Sequence, residues 1–233
     1  MSDPARIELR FAATDRTRKV SAVLLRPLGA RWLLVLAHGA GAGMHHPFII
    51  AVSEQLASQS IATFRYQFPY MEQGGGPPDP PAVLAATVRA AVQAGNEVAP
   101  DLPLIAGGKS LGGRMTSAAA SQSPLARVQG LVFFGFPLHP VGQPSTERAR
   151  HLQSVTVPML FLQGTRDKLA ELELLRPVCS NLGNRAHLHI VEGADHSFGV
   201  LKRSGRSDRD VLQELGMTVA EWAAGLGKGT TPA

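Results

Sequence analysis

The sequence predicts an α/β protein built on a largely parallel sheet with helices on both faces. Three observations carry that prediction. Apolar runs of strand length alternate along the chain with segments of helical periodicity. Most of those runs, Trp32 to Ala37 among them, are continuously apolar, as strands covered on both faces are. Irregular loops follow the strands, and in such sheets ligands bind beyond the carboxyl ends of the strands.

Taken in order, Ile7 to Phe11 and Val20 to Leu25 alternate apolar and polar residues and read as two strands partly open to water. The run from Trp32 stops at His38-Gly39-Ala40-Gly41-Ala42-Gly43, where side chains nearly vanish. A helix is expected from Pro47 to Ser58, since proline suits a first turn and Phe48, Val52 and Leu56 recur at helical spacing. Ile61 to Arg65 is the next strand, leading into a loop through Gln67 to Glu72 and Gly74 to Pro78. Asp79 then offers a cap for a helix that opens on proline, with Leu84, Val88 and Val92 as its apolar stripe and Gly95-Asn96 at its end. The apolar residues from Pro103 form a strand, and Leu111 to Ala120 a helix. Val128 to Phe134 is a buried strand, Phe136 to Pro144 a loop, and Glu147 to Leu152 a short helical segment. Pro158 to Leu162 is a strand ending at Gln163-Gly164-Thr165-Arg166-Asp167. Leu169 to Cys179 reads as a helix that Pro177 bends or ends, and Ala186 to Val191 as the last strand. Ser207 and Asp210 form a variant capping box for a final helix with Leu212, Leu215, Val219 and Trp222 on its buried face, which Gly216 kinks or divides. No repeat or linker is visible, so one domain over 1–233 is expected, with an ordered core over 5–226 and a frayed tail over 227–233.

Composition removes several classes of function. The lone Cys179 forms no internal disulfide, which fits a reducing compartment. The first residues lack the apolar core of a signal peptide, and no apolar stretch is long enough to span a bilayer, so a cytoplasmic protein is expected. The net charge of +5 comes largely from scattered arginines. Its densest cluster, Lys202 to Arg209, is interrupted by Asp208 and lacks interleaved aromatic residues, which speaks against nucleic acid as a partner. Gly108-Lys109-Ser110 resembles the end of a phosphate-binding loop, but that motif needs glycine where the chain has Pro103. His187 and His189 share a strand face without an evident acidic or cysteine partner, so no metal and no cofactor are implied. His45-His46 either touches substrate or starts the following helix.

What remains points to a nucleophile. Gly108-Lys109-Ser110-Leu111-Gly112 fits Gly-x-Ser-x-Gly, in which a serine stands on a sharp strand-to-helix turn and its neighbours two residues away must be small. A serine hydroxyl needs a base, and the base an orienting acid. On this kind of turn the partners follow in the order serine, acid, histidine. Asp167 and His196, each just past a strand, fill those places. Glu192 is the rival acid; Asp195 is too close to His196 in sequence, and Asp101 precedes the serine. The backbone N–H of Leu111 is expected to receive the developing oxyanion, with a second N–H from Ala40 or Gly41, of which Ala40 is slightly favoured. Met44, Phe48, Phe68, Tyr70, Leu138 and Phe198 are candidates to line the substrate site, and Lys109 and Arg114 to favour anionic acyl groups. The segment between Phe134 and Pro158 is too short for a large lid domain, so an open site is expected.

Together His38 to Gly43, Phe64 to Tyr70, Gly107 to Gly113, Phe136 to Pro140, Gln163 to Asp167 and Gly193 to Phe198 resemble the motifs of small bacterial α/β-hydrolases. That family is related to the dienelactone hydrolases and to a testis-expressed hydrolase-like group. The resemblance covers roughly Trp32 to Phe198. It implies a three-layer α/β-hydrolase fold, an eight-stranded sheet with an antiparallel second strand, and triad roles for Ser110, Asp167 and His196. Dienelactone hydrolases use a cysteine nucleophile where this chain has Ser110, so their substrate does not carry over. The expected activity is cleavage of a small-molecule carboxylic ester or thioester through an acyl-enzyme, with oligomeric state left open. The alternative is a binding or scaffold protein that keeps the fold without the chemistry, against which an intact serine, acid and histidine weigh.

Overall fold

Eight strands hydrogen-bond into one sheet: β1 (Ala5–Ala12), β2 (Lys19–Arg26), β3 (Trp32–Ala37), β4 (Ile61–Tyr66), β5 (Leu104–Lys109), β6 (Val128–Phe134), β7 (Met159–Gly164) and β8 (Ala186–Val191). The computed structural model describes residues 4–14 and 19–226. Strand order is β1-β2-β4-β3-β5-β6-β7-β8, with β2 antiparallel to both neighbours and every other pairing parallel. The mostly parallel sheet and its antiparallel second strand are thus as expected. The path reverses between β3 and β5, which lie side by side with Ala37 opposite Gly108. At such a reversal the loops leaving two adjacent strands diverge and leave a crevice.

Side chains alternate across the sheet with period two, and each face is covered. Leu33, Val35, Phe64, Phe133 and Phe161 pack toward α3 (Pro81–Val98), α4 (Leu111–Gln122) and α5 (Leu172–Leu182). Leu34, Leu36, Phe134, Leu160 and Leu162 pack toward α1 (Pro47–Ser58) and α6 (Asp208–Leu226). Burying a side chain of this size contributes about 1.5–3 kcal/mol. Among the described residues, no helix is long and apolar enough to cross a membrane.

Several boundaries depart from expectation for local reasons. Pro69–Glu72, expected as loop, forms the four-residue helix α2, started by proline. Asp79 does not cap α3; its carboxylate accepts from the Tyr70 N–H at 2.7 Å, and Pro80 occupies the cap position without a side-chain bond. Helix α3 continues past Gly95, where the missing side chain admits Val35. Helix α5 starts at Leu172 because Leu169 is held by other bonds, and it tolerates Pro177 inside it. Strand β2 is more buried than its alternation suggests. Helix α6 runs unbroken through Gly216, which lies against the Gln55 backbone. Its capping box forms, with the Asp210 carboxylate accepting from Ser207 N and Oγ, both at 2.8 Å. The tail expected to fray, 227–233, lies outside the described residues.

Between β6 and β7 the chain makes an exposed excursion at Pro140–Pro144. A 3₁₀ helix, Glu147–Ser154, then returns it to α4, where Ser117 Oγ and His151 Nε2 are 2.7 Å apart. No lid domain covers the carboxyl edge of the sheet among the described residues.

Candidate active site

Ser110 joins β5 to α4 with φ 51° and ψ −116°. That conformation costs a non-glycine residue on the order of 1–3 kcal/mol and is held only by its surroundings. Those surroundings are backbone. A Cβ on Gly108 would stand 2.4 Å from the Ala37 carbonyl oxygen, and one on Gly112 2.6 Å from the carbonyl oxygens of Ala37 and His38. Close packing of β3 against the turn therefore accounts for both glycines of the motif. A serine at the start of a helix ordinarily caps it by accepting from a first-turn N–H. Ser110 makes no such bond; its Oγ lies 2.9 Å from His196 Nε2.

His196 follows β8 in a tight loop. Asp195 shapes that loop by accepting from the N–H groups of Ser197 (2.9 Å) and Gly199 (3.0 Å) through Oδ1. The imidazole Nδ1 lies 2.7 Å from Asp167 Oδ2. The Asp167 side chain has no exposure, and it also accepts from Gln163 Nε2 at 2.6 Å and Leu169 N at 2.8 Å. With Asp167 accepting at Nδ1, the proton belongs on that nitrogen, and Nε2 presents a lone pair to the serine hydroxyl. Glu192 is exposed and reaches toward Thr165 Oγ1 at 3.4 Å. The loops after β5, β7 and β8 thus bring Ser110, Asp167 and His196 into one hydrogen-bonded row.

The loop after β3 is fixed by His38, whose role the motif alone did not disclose. Its fully buried ring donates from Nδ1 to Gly39 O at 2.7 Å and accepts at Nε2 from Phe68 N at 3.0 Å. Burial lowers its pKa to about 4, against an ordinary 6.5, so the ring is neutral at pH 7. The unfolded chain therefore binds this proton at higher pH than the folded one does. The resulting stability is complete above about pH 6.5 and is lost as pH falls through about 4, up to about 3 kcal/mol. Urea melts between pH 7 and 4 are expected to show that loss in the wild type, and a smaller loss in His38→Asn.

Further along this loop, the Gly41 N–H donates to the Tyr70 hydroxyl at 3.3 Å. Of the two oxyanion candidates, Gly41 is thus already engaged. The N–H of Leu111, at the first turn of α4, has no acceptor within the helix.

The six lining candidates separate. Phe48 is half-buried and stacks on Phe198 with centroids 5.5 Å apart. Phe198 and Tyr70 are nearly buried, with Tyr70 reaching Gly41 through its hydroxyl. Met44 is buried, its N–H held by Gln67 Oε1 at 2.7 Å. Phe68 and Leu138 have no accessible surface and are corrected from substrate contacts to supports. Phe68 packs edge-on against His38, and Leu138 N bonds Leu169 O at 2.8 Å, bracing the Asp167 loop. Lys109 is buried beneath the turn, so it presents no charge to a ligand.

Outside the row, His46 Nδ1 accepts from Phe48 N at 3.2 Å and caps α1. His189 meets an acid that sequence distance concealed, Glu214 of α6, at 2.7 Å. The described residues contain no cluster of three or more metal-ligating side chains. Cys179 is buried, which pushes its thiol pKa up to about 12 and leaves it a packing residue.

Known proteins with this architecture are numerous. Dienelactone hydrolase from Anabaena variabilis is 22% identical, superposes with a TM-score of 0.74, and is matched over 95% of this chain and 97% of its own. A Xanthomonas campestris protein described as an α/β serine hydrolase without a lid is 17% identical, with a TM-score of 0.71 over 100% of this chain and 98% of its own. An esterase domain from Rhodothermus marinus is 16% identical, with a TM-score of 0.70 over 94% and 98%. At these identities the likeness is one of fold. A sequence model of the family described as an alpha/beta hydrolase domain goes further, matching residues 30–224. Since that match takes in the loops bearing Ser110, Asp167 and His196 and most of the chain besides, the protein belongs to the alpha/beta hydrolase domain family.

Proposed function

We propose that this protein is a serine hydrolase that cleaves a carboxylic ester or thioester through an acyl-enzyme. The observation that carries the reading is the strained Ser110 whose hydroxyl, instead of capping its helix, lies 2.9 Å from His196 Nε2. In the proposed reaction His196 takes the Ser110 proton as Oγ attacks the carbonyl, while Asp167 holds the Nδ1 proton and steadies the imidazolium. The carbonyl oxygen, now negative, is received by the Leu111 N–H and by that of Ala40, since Gly41 is engaged with Tyr70. His196 then returns the proton to the departing alcohol or thiol. Water, deprotonated by the same nitrogen, releases the acid and regenerates Ser110. Dienelactone hydrolase and esterase folds among the similar structures agree with an acyl substrate.

The test is labelling by a fluorophosphonate, read by intact mass and peptide mapping, followed by a panel of acyl esters and thioesters of graded chain length. One phosphonyl group on Ser110 of the wild type, absent from Ser110→Ala, is expected. A wild type that stays unlabelled and hydrolyses no member of the panel refutes the proposal.

A further inference from the structure

Lys109, the last residue of β5, carries a charge that the acyl-transfer scheme leaves unused. The residue is 9% exposed, and its ammonium is buried with no hydrogen-bond partner among the described residues. The rings of Phe48 and Phe198 lie near it, with centroids at 6.0 and 5.7 Å. A Cβ on Gly135, just past β6, would stand 3.3 Å from both Lys109 Nζ and His196 Nδ1. Ammonium and imidazole therefore border the same small gap. The carboxylates whose charge bears on the ammonium are Asp167, from the loop after β7, and Asp195, from the loop after β8, which also brings the titratable His196. From α1 comes Phe48, and from the loop after β3 Gly39, whose Cβ would lie 3.6 Å from Lys109 Cγ. Methionine would fill this volume without the cost of desolvating a cation. A packing role does not explain the charge.

We propose that Lys109 is a positioning residue for the Asp167–His196 pair, its ammonium balancing the buried carboxylate so that His196 stays neutral and ready to take the Ser110 proton. The inference rests on the acyl-transfer reading given above. Among the described residues the hydrogen-bond donors to Asp167 are all formally neutral: Gln163 Nε2, Leu169 N and the His196 ring. A buried anion surrounded only by neutral donors draws a second proton onto the imidazole as pH falls, and an imidazolium cannot act as base. A cation beside the same ring opposes that proton. Burial lowers the Lys109 pKa to about 8, with Asp167 and Asp195 pulling the other way, so the ammonium is charged across the acidic range where this matters.

The first experiment is the pH dependence of kcat/KM for the wild type, Lys109→Met and Lys109→Arg. In Lys109→Met the acid-side midpoint is expected to rise by about one pH unit, while Lys109→Arg keeps the wild-type midpoint. Equal midpoints in wild type and Lys109→Met overturn the proposal. The second experiment needs neither a Lys109 variant nor activity: NMR titration of ¹³C-labelled lysine in the wild type and in Asp167→Asn. Coupling between sites is reciprocal, so loss of the carboxylate is expected to lower the Lys109 midpoint by about one unit. An unmoved midpoint overturns the proposal. Absence of fluorophosphonate labelling would instead strike the acyl-transfer reading, leaving the Lys109–Asp167 coupling still measurable.

Discussion

Ser110→Ala is expected to lower kcat for an activated acyl ester by about four to six orders of magnitude while changing KM little. The substitution removes the attacking oxygen and leaves the rest of the crevice in place. Residual rate over water comes from the N–H groups that receive the carbonyl oxygen, and these belong to the backbone. Alanine at φ 51° is strained much as serine is, so the fold gains no relief from the change. Thermal melting of the variant is therefore expected within a few degrees of the wild type, which separates lost chemistry from lost structure. Turnover within tenfold of the wild type would remove Ser110 from the reaction.

The second large effect is expected at Asp167. Its carboxylate only accepts, and His196 Nδ1 lies 2.7 Å away. Asparagine can turn its NH₂ toward the ring, in which case the imidazole carries its proton on Nε2 and cannot take one from Ser110. A loss of about 10³–10⁴ in kcat is expected for Asp167→Asn. Glu192→Gln provides the contrast, since Glu192 is exposed and directed at Thr165. Its kinetics should match the wild type. An active Asp167→Asn together with an inactive Glu192→Gln would transfer the acid role to Glu192.

Much of this was legible because the chain announces it locally. A continuous apolar strand followed by Gly108-x-Ser-x-Gly112 and a helical segment leaves few conformations for the turn, and the glycines mark where β3 presses on it. Asp167 and His196 were recognisable by their places after β7 and β8. Side-chain direction was not legible in the same way. Phe68 and Leu138 follow strand ends and Phe48 opens a helix, yet only the packing of neighbouring loops decides which of them keeps any surface. His38 acts through Phe68, far along the chain, and Gln163 through the nearby Asp167, and a lone polar residue at the end of an apolar run does not say what it will bond. Lys109 reads as an exposed cation in any one-dimensional view. Its burial depends on Phe48 and Phe198, which come from opposite ends of the sequence. Asp79 illustrates the opposite error, a residue suited to capping the next helix but drawn off by the N–H of Tyr70.

The excursion at Pro140–Pro144 makes the molecule a natural recipient for grafted modules. All three members of the hydrogen-bonded row are anchored elsewhere, and the chain on either side is pinned by Leu138 to the Asp167 loop and by the 3₁₀ helix to α4. Doubling the length of such a loop costs only about 0.6 kcal/mol in closure entropy. A cap inserted at Gly142 would roof the crevice and alter which acyl groups enter, with the reacting atoms left where the sheet holds them.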